Sequence, residues 1–142
     1  MLRLTLVIIL GATVAWAHSG ATGVVKERMQ GMKAMSDAIK GLGALRAGAI
    51  PFNVETMRLA AMEIARHAKE AKKLFPEGSL KSPSEALPLL WDEKAAFNKL
   101  FDDMATDAAL LQEVSDLGAA TPVMNRIGDA CKECHWRYRI KK

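Results

Sequence analysis

The sequence has 142 residues, of which half are apolar and only 6% are aromatic, and its formal net charge is +4. This charge is too small to indicate a protein that binds nucleic acid or docks on an anionic membrane. The length corresponds to one domain of ordinary size, and the many Ala and Leu residues favour an all-helical fold.

The N-terminus has the three parts of an export signal. Arg3 supplies a positive charge, residues 4–10 form an apolar run, and residues 15–17 match a cleavage site with alanine at its first and last positions. The apolar run is too short to be expected to span a membrane. We therefore predict a cleaved signal peptide over residues 1–17 and a mature domain over residues 18–142.

Cleavage at this site would leave His18 as the first residue of the mature protein. An α-amino group and an imidazole on one residue can chelate Cu(II), because nitrogen ligands suit that ion. The alternative is a disordered terminus in which His18 has no role. Copper handling through His18 is therefore one functional hypothesis.

The first two predicted helices have clear start and stop signals. One helix is expected over residues 22–47, with Gly48 as its C-terminal stop. The second begins after Asn53, a good N-cap, and ends before Pro76, because proline disfavours helical geometry in the preceding residue. In both segments apolar residues recur at spacings of three and four, which is the buried stripe of a bundle helix.

The second half of the chain predicts two more helices after an irregular connection. Residues 76–88 contain three of the five prolines, and we interpret them as a crossover rather than as a cover for a cofactor. A third helix is expected from about residue 88 to about 117, ending at Gly118. The fourth is expected to start with Thr121 as N-cap and Pro122 at the first helical position. This pattern predicts an all-α, antiparallel four-helix bundle.

The fourth predicted helix carries the strongest motif of the sequence. Cys131, Cys134 and His135 form Cys-x-x-Cys-His, the attachment signature of a c-type haem. On a helix, positions i, i+3 and i+4 share one face, so both thiols can reach the vinyl groups of one porphyrin. The adjacent imidazole can then bind the iron. We predict one covalent haem c, with His135 as an axial ligand.

Three other interpretations of this motif are weaker. A thioredoxin-like pair would be expected in a βαβ setting, and no strand-like pattern surrounds this one. A structural zinc site usually needs four ligands, and the sequence has no second Cys or Cys/His pair. A disulfide would close a very short loop and leave His135 without a role. Export and a haem that consumes both cysteines together indicate the bacterial periplasm.

The ligand on the other face of the iron is open at this point. The first predicted helix carries Met29, Met32 and Met35, but methionines at helical spacing are usually packing residues. His67 is flanked by cationic residues and is expected at the surface. The first helix is the natural opposite wall, since first and last helices are neighbours in such a bundle, and thioether sulfur is a known haem ligand.

Three motifs carry a resemblance to a known family: Cys-Lys-x-Cys-His-x-x-Tyr-Arg at residues 131–139, the spacing from Trp91 to Phe97, and Arg28-x-x-x-Met32-Lys33. By these motifs the chain resembles the cytochrome c′ family, the class II c-type cytochromes, over essentially its whole mature length. The resemblance implies a haem near the C-terminus of a four-helix bundle. It also implies that homodimers through the first helix are common.

The resemblance assigns further residues to the site. It implies that Met32 faces the iron, either as the sixth ligand of a low-spin haem or as a side chain that only blocks a high-spin one. Arg28 matches a residue near the haem propionates, and Arg139 matches a basic residue on the His-ligand side. The family often has an acid directly after the haem histidine, whereas this chain has Trp136.

These observations predict a periplasmic monohaem cytochrome that carries electrons to and from redox partner proteins, with His135 and Met32 as axial ligands. It is not expected to be an enzyme, since no acid–base or nucleophilic constellation accompanies the haem motif. One alternative is a five-coordinate haem protein that binds nitric oxide or carbon monoxide. The other is the copper-handling protein, in which the haem would deliver electrons.

Overall fold

The computed structural model describes residues 20–141, so the predicted signal peptide and His18 lie outside the described residues. Within this range the chain forms five α-helices: α1 Gly23–Arg46, α2 Val54–Ala71, α3 Leu89–Asp92, α4 Lys94–Glu113 and α5 Leu117–Tyr138. None of these helices combines the length and the apolar character needed to cross a membrane.

The four long helices form the predicted antiparallel bundle. Helix α1 packs on α2, α2 on α4 and α4 on α5, and a smaller contact between α1 and α5 closes the bundle. Large side chains from the helices fill its centre, and the most deeply buried are Leu45, Met57, Ile64, Leu90, Phe97, Leu111 and Ile127. Because α1 and α5 touch least, a cavity can lie between them at one end of the bundle.

The first half of the chain follows the sequence signals closely. Helix α1 ends just before Gly48, whose φ of +69° is a backbone conformation that favours glycine. The Asn53 side chain accepts a hydrogen bond of 2.8 Å from the Thr56 backbone N–H and caps α2. A 3₁₀ turn over Lys72–Leu74 then ends the helical segment before Pro76.

The predicted boundary between the third and fourth helices is wrong. Helix α4 ends at Glu113, and α5 already begins at Leu117 with Asp116 as its N-cap. The Asp116 carboxylate accepts a hydrogen bond of 2.9 Å from the Ala119 backbone N–H, which satisfies an otherwise free donor of the first turn. Gly118 therefore lies in the first turn of α5 instead of ending a helix.

Thr121 and Pro122 lie inside α5 and do not start it. The Thr121 hydroxyl donates to the Leu117 carbonyl over 2.7 Å, so it bonds back to its own helix. Pro122 is the sixth residue of the helix and removes one backbone donor there. The helix nevertheless begins at the Asp116 cap and continues through Pro122.

The connection between the 3₁₀ turn and α3 is fastened to the end of α5. The Leu87 backbone N–H donates to the Tyr138 carbonyl, and the Ile140 N–H donates to the Glu85 carbonyl, both over 2.8 Å. These bonds flank an antiparallel bridge between Ala86 and Arg139. The segment is therefore more than a crossover, because it is placed against the helix that carries the Cys-x-x-Cys-His motif.

Candidate haem-binding site

A cavity of about 550 Å³ opens between α1, α4, α5 and the connection before α3. This volume is within the range of about 300–1,000 Å³ usual for cofactor sites. Five of the six site residues predicted from the sequence line it: Arg28, Met32, Cys134, His135 and Arg139. The sixth, Cys131, lies one turn before Cys134 on α5, partly buried against the hydrophobic core.

Burial shifts the pKa values of the motif residues on α5. Burial raises the pKa of Cys134 to about 11, with smaller contributions from Cys131 and Glu133, and burial also raises the pKa of Cys131. Burial lowers the pKa of His135, and the positive charge of Arg139 lowers it further. At neutral pH the imidazole is therefore favoured in its neutral form, which is the form that binds metal ions.

Aromatic rings form the apolar wall of the cavity. Phe97 packs edge-to-face on Phe75, Phe101 and Tyr138, with ring centroids 4.9, 5.2 and 5.2 Å apart. Phe97, Phe101 and Tyr138 come from α4 and α5, whereas Phe75 precedes Pro76 at the start of the connection. The wall is well suited to the face of a porphyrin, which is large, flat and apolar.

Met32 lies on the cavity wall formed by α1 and is partly buried against the core. Met29 lines the cavity too, but 42% of its surface is exposed, so it is not the packing residue that the sequence predicted. Met35 is 4% exposed and belongs to the core, as expected.

Arg28 is buried beside Met32, with only 5% of its surface exposed. Its guanidinium donates to the Ser79 carbonyl over 2.5 Å and lies 4.6 Å from the centre of the Phe75 ring. Burial lowers its pKa, and no carboxylate of residues 20–141 forms an ion pair with it. A buried cation of this kind on a cavity wall is a ready partner for an anionic group such as a haem propionate.

A second cavity, of about 360 Å³, lies on the other side of Arg28 and Met32, between α1 and α2. His67 lines it and is not the surface residue predicted from its neighbours, since only 15% of its side chain is exposed. It packs against Gly31, where an added Cβ would lie 3.4 Å from its Nδ1 atom. The absence of a side chain at Gly31 thus admits the imidazole between the helices.

Two ion pairs hold the end of α5. Arg139 pairs with Glu85 of the connection, and their Nε–Oε2 distance is 2.8 Å. Arg137 forms a bidentate pair with Glu93, at 2.6 and 2.7 Å, and the Tyr138 hydroxyl donates to the same carboxylate over 2.9 Å. Glu93 lies at the break between α3 and α4, so one carboxylate joins that break to the haem-motif helix.

The sequence reasoning missed several residues of the site. Phe75 and the cavity-lining residues 83–86 belong to the connection that was interpreted as a crossover. Its length and its prolines were the available signal, because such segments are often functional. Ser79 and Glu93 gave no local signal, since their partners are 51 and 44 residues away in sequence.

The residues present fit a covalently bound haem. Two thiols and an imidazole at the attachment spacing lie at an aromatic cavity. A methionine and a buried arginine from a second helix line the same cavity. A helical bundle with such a site defines a c-type cytochrome of the bundle class.

Comparison with known proteins gives the family. The chain matches the family model described as Cytochrome C' over residues 23–139 and belongs to the cytochrome c′ family, whose members carry one covalently attached haem c. Cytochrome c-556 of Agrobacterium fabrum is 33% identical over 126 residues, covering 86% of this chain and 84% of that protein. Cytochrome c' of Rhodopseudomonas palustris is 30% identical over 137 residues, covering 95% of this chain and 92% of that protein.

A solved structure agrees with this assignment. The structure of cytochrome c' from Rhodopseudomonas palustris superimposes with a TM-score of 0.80 at 30% sequence identity. The match covers 86% of this chain and 99% of that one. The predicted four-helix bundle and the predicted haem c are thereby confirmed.

Proposed function

We propose that this protein is a periplasmic electron carrier whose haem iron is bound by His135 and Met32. The supporting observation is that both side chains line one cavity, from α5 and from α1. Imidazole with thioether sulfur is a known axial pair of c-type cytochromes and raises the reduction potential. Relatives named cytochrome c-556 are consistent with a low-spin member of the family.

In this proposal each residue has a separate task. The haem supplies a one-electron couple. Cys131 and Cys134 hold it by thioether bonds, and Arg28 provides a positive charge for a propionate. His135 and Met32 would hold the iron in both oxidation states, so that electron transfer would need little rearrangement. The aromatic wall around Phe97 keeps water from one side of the site.

A second candidate function is supported by the cavity between α1 and α2. Met32 lines this cavity as well as the haem cavity, so its side chain has space to turn away from the haem side. With Met32 displaced, the iron would have one open face. The protein would then bind nitric oxide or carbon monoxide as a five-coordinate haem protein.

Visible spectroscopy of the purified holoprotein separates the two functions. The electron-carrier proposal predicts a low-spin spectrum in both oxidation states that carbon monoxide leaves unchanged. It also predicts a high-spin spectrum in Met32→Ala and a low-spin spectrum in the matched control Met29→Ala. A high-spin wild-type protein that responds at once to carbon monoxide would make gas binding the function.

Two hypotheses concern residues outside the described range: export with cleavage before His18, and copper handling through His18. Cell fractionation of the full-length protein tests the periplasmic location, and N-terminal sequencing of the mature protein tests cleavage before His18. Titration of the holoprotein with Cu(II) tests copper handling. The copper hypothesis would be abandoned if no binding were seen, or if binding were unchanged in His18→Ala.

A further inference from the structure

The charged side chains around the haem cavity are mostly basic. Among the described residues that line it, Arg28, Lys33 and Arg139 are cationic and Glu85 is the one acid. Lys33 pairs with Asp37 one turn along α1, at 2.5 Å, so its charge is balanced away from the cavity. Glu85 is therefore the carboxylate best placed to act on a haem bound in this cavity.

The position of Glu85 is fixed by its own backbone. Its carbonyl accepts from the Ile140 N–H over 2.8 Å, and the neighbouring Ala86 forms the bridge with Arg139. Its carboxylate forms an ion pair with the Arg139 guanidinium, and only 29% of the Glu85 side chain is exposed. A charge held in this way, partly shielded from solvent, acts on its surroundings more strongly than a mobile surface charge.

Arg139 connects this ion pair to the haem-binding histidine. Both residues line the cavity, and Arg139 follows His135 by four positions, at the C-cap of α5. Glu85 opposes the positive charge of Arg139, since it is paired with that guanidinium.

We propose that Glu85 tunes the reduction potential of the haem, holding it lower than the arginine-rich cavity would otherwise set it. Oxidised haem carries one more positive charge than reduced haem, so a nearby carboxylate stabilises the oxidised form. Glu85 acts both directly on the cavity and through Arg139, as a positioning residue. This inference rests on the proposed electron-carrying haem, but it does not depend on which residue is the sixth ligand.

The test is a potentiometric titration of five holoproteins at one pH and one ionic strength: wild type, Glu85→Gln, Arg139→Gln, the double variant and Glu93→Gln. Glu85→Gln is expected to raise the midpoint potential by about 59 mV. For a one-electron couple, this shift corresponds to a tenfold change in the ratio of reduced to oxidised haem. Arg139→Gln is expected to lower the potential, and the double variant to return close to wild type.

Glu93→Gln is the matched control. It also removes a carboxylate that pairs with an arginine at the end of α5, but Glu93 does not line the cavity. Its shift is expected to be less than about a third of that of Glu85→Gln, since the two carboxylates are equally exposed but Glu93 lies outside the cavity and the Coulomb interaction weakens with distance. A wild-type potential in Glu85→Gln, or an equal shift in Glu93→Gln, would overturn the proposal.

A further variant separates charge from geometry. Glu85→Asp keeps the charge while shortening the side chain, so its potential should stay near that of wild type. An equal rise in Glu85→Asp and Glu85→Gln would assign the effect to a displaced connection and contradict the proposal. The visible spectrum reports axial ligation independently, so failure of the His135–Met32 assignment remains distinguishable from failure of this one.

Discussion

The two helices that bring their side chains to the haem cavity are held in different ways. The end of α5, which carries His135, is fastened by two arginine–glutamate pairs, a tyrosine hydroxyl and two backbone hydrogen bonds to the connection before α3. The stretch of α1 around Met32 borders a second cavity on its far side. We call the end of α5 the braced side of the site, because polar contacts hold it in place. The other side, α1 around Met32, borders that second cavity.

This difference assigns different roles to the two sides. The braced side would fix where the haem attaches and how the His135 imidazole is oriented, because a shift of the end of α5 would break several polar contacts. The side around Met32 determines what else can reach the iron.

The largest effect is expected at Phe97, whose ring packs on Tyr138 of α5 and lines the same cavity as Met32. Phe97→Ala removes a side chain that is 2% exposed and packs on three other rings. The free energy of unfolding should fall by about 3–5 kcal/mol, as for other buried Phe→Ala changes. Denaturant unfolding of the holoprotein measures this.

The control for Phe97 is Leu110→Ala, since Leu110 lies on the same helix and is 49% exposed. It should change the stability by less than about 0.5 kcal/mol. If both variants lost the same unfolding free energy, the buried Phe97 ring would contribute no more to stability than an exposed leucine.

Tyr138→Phe tests the braced side with a smaller change. It removes only the hydroxyl that donates to Glu93, and the ring can stay on Phe97. A hydrogen bond to a charged acceptor is worth about 1.5–3 kcal/mol, and the same loss is expected here in denaturant unfolding. An unchanged free energy of unfolding would show that the hydrogen bond from Tyr138 to Glu93 contributes little to stability.

Met32→Leu tests the α1 side of the site, because it removes the sulfur while keeping about the same side-chain volume. The swap should cost less than about 1.5 kcal/mol, because the cavity behind Met32 can accommodate a change of shape. The spectrum should nevertheless change from low-spin to high-spin, since leucine has no sulfur. A loss larger than that of Phe97→Ala would contradict the idea of free space behind α1.

The smallest effect concerns pH. Hydrogen bonds from Arg137 and then Tyr138 lower the pKa of Glu93 below its ordinary 4.5. The stabilisation from this ionised group is complete above pH 4.5 and is lost as the pH falls through the lowered pKa. The stability difference between wild type and Glu93→Gln should therefore shrink below pH 4.5. If the stability difference instead grew as the pH fell, the ionised Glu93 carboxylate would not be the stabilising form.

The sequence predicted most of the fold because the signals were local. The Asn53 cap, the glycine stop at Gly48 and the apolar spacing of α1 and α2 each act within a few residues. The boundary before α5 was wrong because two N-caps competed, and Asp116 defines the start instead of Thr121. The choice depends on how the whole helix packs, which adjacent residues do not reveal.

For the site, the haem motif was visible because its three residues are adjacent along the chain. Five of the predicted residues line one cavity, although their haem contacts stay predictions. Glu85 could not be predicted, since its partner Arg139 is 54 residues away and only the fold brings them together. His67 was misplaced because Gly31, on another helix, creates its space.

The most direct test of the central claim is the proton NMR spectrum of the reduced holoprotein. A methionine bound to low-spin iron lies over the porphyrin face, so ring current shifts its methyl resonance far upfield. The account predicts one such resonance, retained in Met29→Ala and Met35→Ala and lost in Met32→Ala. If no upfield methyl is present in wild type, or if the signal survives in Met32→Ala, then Met32 is not the ligand.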